Sequence, residues 1–199
     1  MSFDPVYNVR SRALILGTWP SPKSREMAFY YGHPQNRFWP VLAALTGEPV
    51  PAREDIEAKK QIILRHGLAL WDTLERCTIT GAADASIKDA VPNDITALLA
   101  KAPIEAVFCN GATAYRIYTK YLQPVSGIAA VKLPSSTVLR YIWYLVTDMG
   151  TPPVQGQYSI SRHVLQSIFH GFDDNHAFYK LLVLCYAKDT LRSPNERRR

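Results

Sequence analysis

Four short apolar runs punctuate the chain, and each ends beside residues that break the pattern. RALILG at 12–17 stops at Gly17, and GLALWDTL at 67–74 carries an aspartate inside it. IEAVFCNG at 104–111 ends on Asn110 and Gly111, and IAAVKLP at 128–134 stops at Pro134. Apolar residues in unbroken sequence over so few positions predict strands buried on both faces. Helix signals lie between these runs. Residues 36–46 follow Asn36, a good capping residue, and 53–67 places Ile56, Ile62 and Ile63 ahead of a glycine stop. Residues 92–102 open with Pro92, Asn93 and Asp94, where Asn93 reads as the cap, and 112–122 starts directly after a strand-end glycine. Strands alternating with helices predict an α/β fold with a parallel sheet between two helical layers. Ligands of such sheets bind outside the carboxyl ends of the strands. That rule brings the loops at 17–36, 109–112 and 133–138 together.

The first of those loops belongs to an unusual stretch, GTWPSPKSREMAFYYGHPQNRFW at 17–39. Gly17 lets the chain turn, Pro20 and Pro22 stiffen it, and Gly32 with Pro34 excludes a regular helix there. Ser21, Lys23 and Ser24 suit a phosphate. Tyr30 and Tyr31 offer flat faces to a nucleic-acid base, a stacking gain of about 1–3 kcal/mol. Asn36 supplies both a donor and an acceptor. For Phe38 and Trp39 a packing role is the stronger reading, because they start a helix; for Tyr31 and Asn36 a functional role is stronger. His33 is expected to fix the loop by hydrogen bonding. Glu26 is a candidate base, although an acidic residue near a helix start usually serves the helix dipole. Asn110 reads equally well as a reader of a base edge or as a chain-turning residue before Gly111. Asp72 is expected to cap the following segment, with a catalytic carboxylate as the less favoured reading.

Several chemistries lack their motifs. No G-x-G-x-x-G or G-K-[ST] loop follows a strand, no G-x-S-x-G elbow surrounds a serine, and the five histidines lack H-E-x-x-H spacing. A nucleotide-cofactor enzyme and a serine hydrolase are disfavoured, and no metal site is expected. The three cysteines include no C-x-x-C pair, so a disulfide framework is not expected and a reducing cytoplasm is. No apolar run reaches the roughly 18 residues of a membrane span, and the first twelve residues lack the apolar core of a secretory signal. The net charge of +6 is compatible with a polyanion partner. The final twelve residues, KDTLRSPNERRR, supply half of it, so the body is only mildly basic.

Taken together, ILGTWPSPKSREMAFYYGHPQNRFW resembles the first motif of the uracil-DNA glycosylase superfamily, and within it the deoxyinosine (hypoxanthine) DNA glycosylase branch. ALWDTL, SIKDAVPNDI and FCNG match that branch in order, so the resemblance covers roughly residues 3–136. It implies a three-layer α/β/α sandwich around a short parallel sheet. It also implies a monofunctional, monomeric enzyme of base excision repair that flips a deaminated base from DNA and hydrolyses its glycosidic bond without cofactor or metal. Hypoxanthine is the expected base, with uracil or xanthine as others. By the same resemblance Asn36 positions the water or stabilises the leaving base, while Gly17, Thr18, Trp19, Tyr31 and Asn110 contact the base. Ser21, Lys23, Ser24, Ser135 and Ser136 would contact the DNA backbone. The departure comes at the third motif. LPSS at 133–136 is followed by TVLRYIWYL, where the branch continues Ser-Pro-Ala. This divides the chain into a glycosylase-like domain at 1–137 and a divergent region at 138–199, expected to be partly helical. The alternative is a nucleic-acid-binding protein that keeps the base pocket but has lost turnover.

Overall fold

The computed structural model describes residues 2–80 and 84–133. Strand β1 is Ala13–Gly17, followed by α1 (Pro22–Glu26), α2 (Phe38–Thr46) and α3 (Ile56–Arg65). Strands β2 (Leu68–Asp72), β3 (Leu74–Thr78) and β4 (Lys88–Pro92) lead to the short helix α4 (Thr96–Leu99). Strand β5 (Ala106–Asn110) precedes α5 (Ala112–Ile117), which runs through one π-type turn into α6 (Gln123–Ser126), and β6 is Ala130–Leu133.

Among the described residues, the main sheet has four parallel strands in the order β2-β1-β5-β6. Central β1 is buried at every position, and its residues alternate between two cores. Ala13 and Ile15 join Leu68, Leu70 and Phe108 under α2 and α3, which contribute Phe38, Trp39, Leu42, Ile62 and Ile63. Leu14 and Leu16 join Val107 and Cys109 on the other face, against Ile95, Leu98, Ala114, Tyr118 and Leu122. Two apolar faces explain the unbroken apolar run, and the three-layer α/β/α sandwich is the architecture observed. The outer edge of β2 is shielded by an antiparallel bridge between Val6 and Leu70.

The structure adds elements that the apolar pattern does not mark. The run at 67–74 is divided: β2 ends at Asp72, and Leu74 opens β3, which pairs with β4 in a separate antiparallel sheet. Inside the loop at 17–36, Ser21 caps the single-turn helix α1 by accepting from the Ser24 amide at 3.2 Å. Asn93 is not a helix cap. It is buried, and its Nδ2 donates to the Asp72 carbonyl at 2.9 Å, while Asp94 accepts from the Thr96 amide at 2.9 Å. Among the described residues, no helix is long and apolar enough to cross a membrane.

Candidate active site at the carboxyl edge of the sheet

The sheet register sets the site. Gly17 lies opposite Asp72, and Leu16 lies opposite Cys109, so the ends of β2, β1 and β5 form one ledge carrying Asp72, Gly17 and Asn110. The strand order reverses on the two sides of β1, the position where α/β sheets open a crevice. A cavity of about 340 Å³ occupies it, within the range of small-molecule sites. Gly17, Thr18, Trp19, Tyr31, Asn36 and Asn110 all line it. Five of them come from the single segment 17–39, and Asn110 arrives from β5.

The segment 17–39 is held by its aromatics and short polar links. Phe29 and Trp39 rings stack at 6.0 Å, and Trp39 Nε1 donates to the Tyr30 carbonyl at 3.0 Å. Phe38 and Trp39 are core residues, in agreement with their packing role. Tyr30 joins them: its ring is buried and its hydroxyl donates to the Asp4 carbonyl at 2.9 Å. It therefore presents no free face for a base, unlike the expectation from its aromatic character. Tyr31 adopts φ 54, a left-handed conformation unusual for a bulky residue. That turn lays its ring on Phe38 at 3.9 Å with 18° between the planes, so Phe38 covers one face. The Tyr31 hydroxyl accepts from Asn110 Nδ2 at 3.0 Å, and burial raises its pKa.

The histidine and asparagine of the same segment are tied locally. His33 Nδ1 accepts from the Gln35 amide at 3.1 Å, the loop-fixing bond expected of it, and its carbonyl accepts from the Asn36 amide at 2.9 Å. Asn36 Oδ1 accepts from the Phe38 amide at 2.9 Å and so helps to start α2, while the residue still lines the cavity. Ser24 is buried and its hydroxyl accepts from the Gly32 amide at 3.1 Å, so Ser21 and Ser24 brace the loop. Lys23 and Glu26 pair at 2.7 Å on exposed surface, and neither is among the cavity-lining residues. Ser135 and Ser136 lie outside the described residues.

At the strand ends the picture changes. Thr73 and Leu74 amides donate to the Gly17 and Thr18 carbonyls at 2.8 and 3.2 Å, extending the ledge beyond β1. Thr18 Oγ1 donates to Asp84 at 3.2 Å. Gly17 is required for space rather than for a positive φ: a methyl group there would collide with Asp72 Oδ1 and crowd the Tyr31 hydroxyl. Among the described residues, three buried polar atoms, Trp19 Nε1, Asp72 Oδ2 and Asn110 Oδ1, have no hydrogen-bond partner, and all three residues line the cavity. Buried polar groups are nearly always paired, so three orphans in one cavity mark a place built to receive polar groups from elsewhere. Asp72 does not cap the segment that follows. Its carboxyl is buried in the cavity wall, where desolvation, with a contribution from Asp84, pushes its pKa up to about 7. Among the described residues, no group of three or more His, Cys, Asp or Glu could hold a metal ion.

The fold and the site together define an α/β three-layer sandwich with a polar cavity at the carboxyl ends of its strands. A family model described as the uracil DNA glycosylase superfamily matches residues 5–187, and the chain belongs to that superfamily of DNA glycosylases, hydrolases of N-glycosyl bonds. A hypoxanthine DNA glycosylase of Methanosarcina barkeri is 33% identical over 110 residues, 55% of this chain and 69% of that protein. A hypoxanthine DNA glycosylase of Methanosarcina acetivorans is 30% identical over 137 residues, covering 68% and 84%. The fold is similar to a solution NMR structure of a candidate uracil DNA glycosylase from M. acetivorans, with TM-score 0.61 and 28% identity over 74% of this chain and 91% of that one.

Proposed function

We propose that this protein is a monofunctional hypoxanthine DNA glycosylase that takes a flipped deoxyinosine into the cavity and hydrolyses its N-glycosidic bond. The observation that carries this reading is the set of orphaned polar atoms beside Asn36. Trp19 Nε1 is a donor and Asn110 Oδ1 an acceptor, and the edge of hypoxanthine presents an acceptor oxygen next to an N–H donor. The two similar proteins named for hypoxanthine support the choice of base. Tyr31 stiffens the wall by holding Asn110 from one side and stacking on Phe38 on the other.

The chemistry asks for three things. The sugar gains oxocarbenium character as the bond breaks, the base gains negative charge, and a water must reach the anomeric carbon. Asn36, held by the Phe38 amide at the cavity wall, is assigned the positioning of that water. Trp19 Nε1 is assigned to the base oxygen, where it meets the developing charge. Asn36→Ala is expected to reduce release of hypoxanthine from a deoxyinosine oligonucleotide by at least about 10²-fold, with DNA binding retained. Base release is read as strand breakage after alkali, with a deoxyuridine oligonucleotide run in parallel to rank the bases.

A second reading draws on the same bond. Asn36 turns the chain into α2 by accepting from the Phe38 amide, which is reason enough for its presence, so a protein that binds the base without turnover also accounts for it. Folded wild type that binds the deoxyinosine strand and releases no base would establish that reading instead.

A further inference from the structure

Asp72 has no place in the scheme above, yet it is the most unusual ionisable group in the cavity. It ends β2 with its side chain buried and Oδ2 unpartnered, and its Oδ1 packs directly over Gly17. Its backbone is clamped by Asn93 Nδ2 on the Asp72 carbonyl. Among the described residues, the ionisable residues lining the cavity with it are Tyr30, Tyr31, His33 and Asp84, and no lysine or arginine lines it. A buried carboxylate with an unpaired oxygen and no neighbouring cation is costly, whereas the neutral acid is a hydrogen-bond donor in need of an acceptor. Such a site keeps a carboxylic acid protonated so that it can donate.

We infer that Asp72 acts in its neutral form, donating from Oδ2 to an acceptor atom of the flipped purine, O6 or N7, and so both selects the base and stabilises its departure. The inference rests on the base-release reading above. The bond between the sugar and N9 breaks with its electron pair passing to the base. Water adds hydroxide to the anomeric carbon, and the proton of that water ends on the base. Asp72 keeps its own proton throughout; its hydrogen bond strengthens as negative charge builds on the purine.

The position of the acid–base equilibrium gives the test. Burial places the Asp72 pKa at about 7, so the donor is present below that pH and lost above it. Single-turnover release of hypoxanthine is measured from pH 5.5 to 9 for wild type, Asp72→Asn and Asp72→Ala, with thermal melting at each pH. Wild-type rate is expected to fall about tenfold per pH unit above about 7. Asp72→Asn, an amide that donates without titrating, is expected to stay within about tenfold of wild type at pH 6 and to give a flat profile. Asp72→Ala is expected to lose about 10²-fold throughout. Wild-type activity that rises through pH 7 while folded Asp72→Asn is inactive would assign an ionised role and overturn the inference. Full activity of Asp72→Ala would also overturn it. Should Asp72→Ala not fold, the wild-type and Asp72→Asn profiles decide alone. A carboxyl ¹³C resonance of Asp72 titrating near the ordinary value, about 4, would refute the neutral acid without reference to activity. Wild type that releases no hypoxanthine at any pH fails the base-release reading and this inference with it. Release with the wrong pH dependence fails this inference alone.

Discussion

The two sides of the cavity use their polar atoms in opposite ways. On the side built by residues 20–39, polar groups are tied to neighbours: Ser21 to Ser24, Ser24 to Gly32, His33 to Gln35, Asn36 to Phe38, and Trp39 to Tyr30. On the side built by the strand ends, Trp19, Asp72 and Asn110 each leave a buried atom unpaired among the described residues. An unmade bond of that kind costs about 1–3 kcal/mol. The loop side is therefore a brace that holds Asn36 at the cavity wall, and the strand-end side is held in a polar state that folding alone does not favour. The fold concentrates that cost where a ligand can offset it.

The largest effect should come from breaking the brace. Phe38→Ala removes the ring on which Tyr31 stacks and which also packs edge-on against Trp39 at 5.0 Å. A loss of about 3–5 kcal/mol in stability is expected by chemical denaturation, the range for a buried phenylalanine. A loss below about 1 kcal/mol would show that the loop side carries little of the fold.

Trp19→Phe tests the other side and should act with the opposite sign on stability. It deletes an orphaned donor and keeps most of the ring. Unfolding free energy is expected to stay level or rise by up to about 1 kcal/mol, while hypoxanthine release falls about tenfold or more. A variant that loses both stability and activity together would place Trp19 with the brace and remove the distinction between the two sides.

How much of this could be read from the chain follows the same division. β1 was legible because burial on both faces writes an unbroken apolar run, and the glycine at its end marked the ledge. Phe38 and Trp39 were legible as packing residues because they begin a helix. Tyr30 was not: an aromatic beside Tyr31 looks equally suited to a base, and its place in the core rests on edge-on packing against Phe3 and Phe29 and on the Phe3 and Asp4 carbonyls, which no local pattern marks. The β3–β4 pair is not legible because LERCT and KDAVP are exposed or half-buried beyond Leu74 and lack alternation. Asp72 looked like a turn residue since nothing local distinguishes LWDT from any capping aspartate. Its burial depends on Gly17, its register partner from β1, and on Asn93, which reaches back to its carbonyl. Asn93 reads as a cap for the same reason, because a helix start three residues later offers it a local job that Asp94 performs.

The smallest effect is expected outside the cavity, at Lys23. Its pair with Glu26 is solvent-exposed, and surface pairs of this kind contribute about 0–1 kcal/mol, so Lys23→Ala should melt within error of wild type. If Lys23 meets a DNA phosphate, the substitution should weaken binding modestly at low salt and reduce the salt dependence by about one released counterion. Single-turnover release at saturating DNA should not change, because Lys23 does not line the cavity. This separates two contributions: grip on the polymer, which salt screens, and recognition of the base, which burial protects. A drop in the saturated rate would mean that α1 moves toward the cavity when DNA binds. Helix α1 would then join Asn36 in serving the chemistry rather than only bracing the loop.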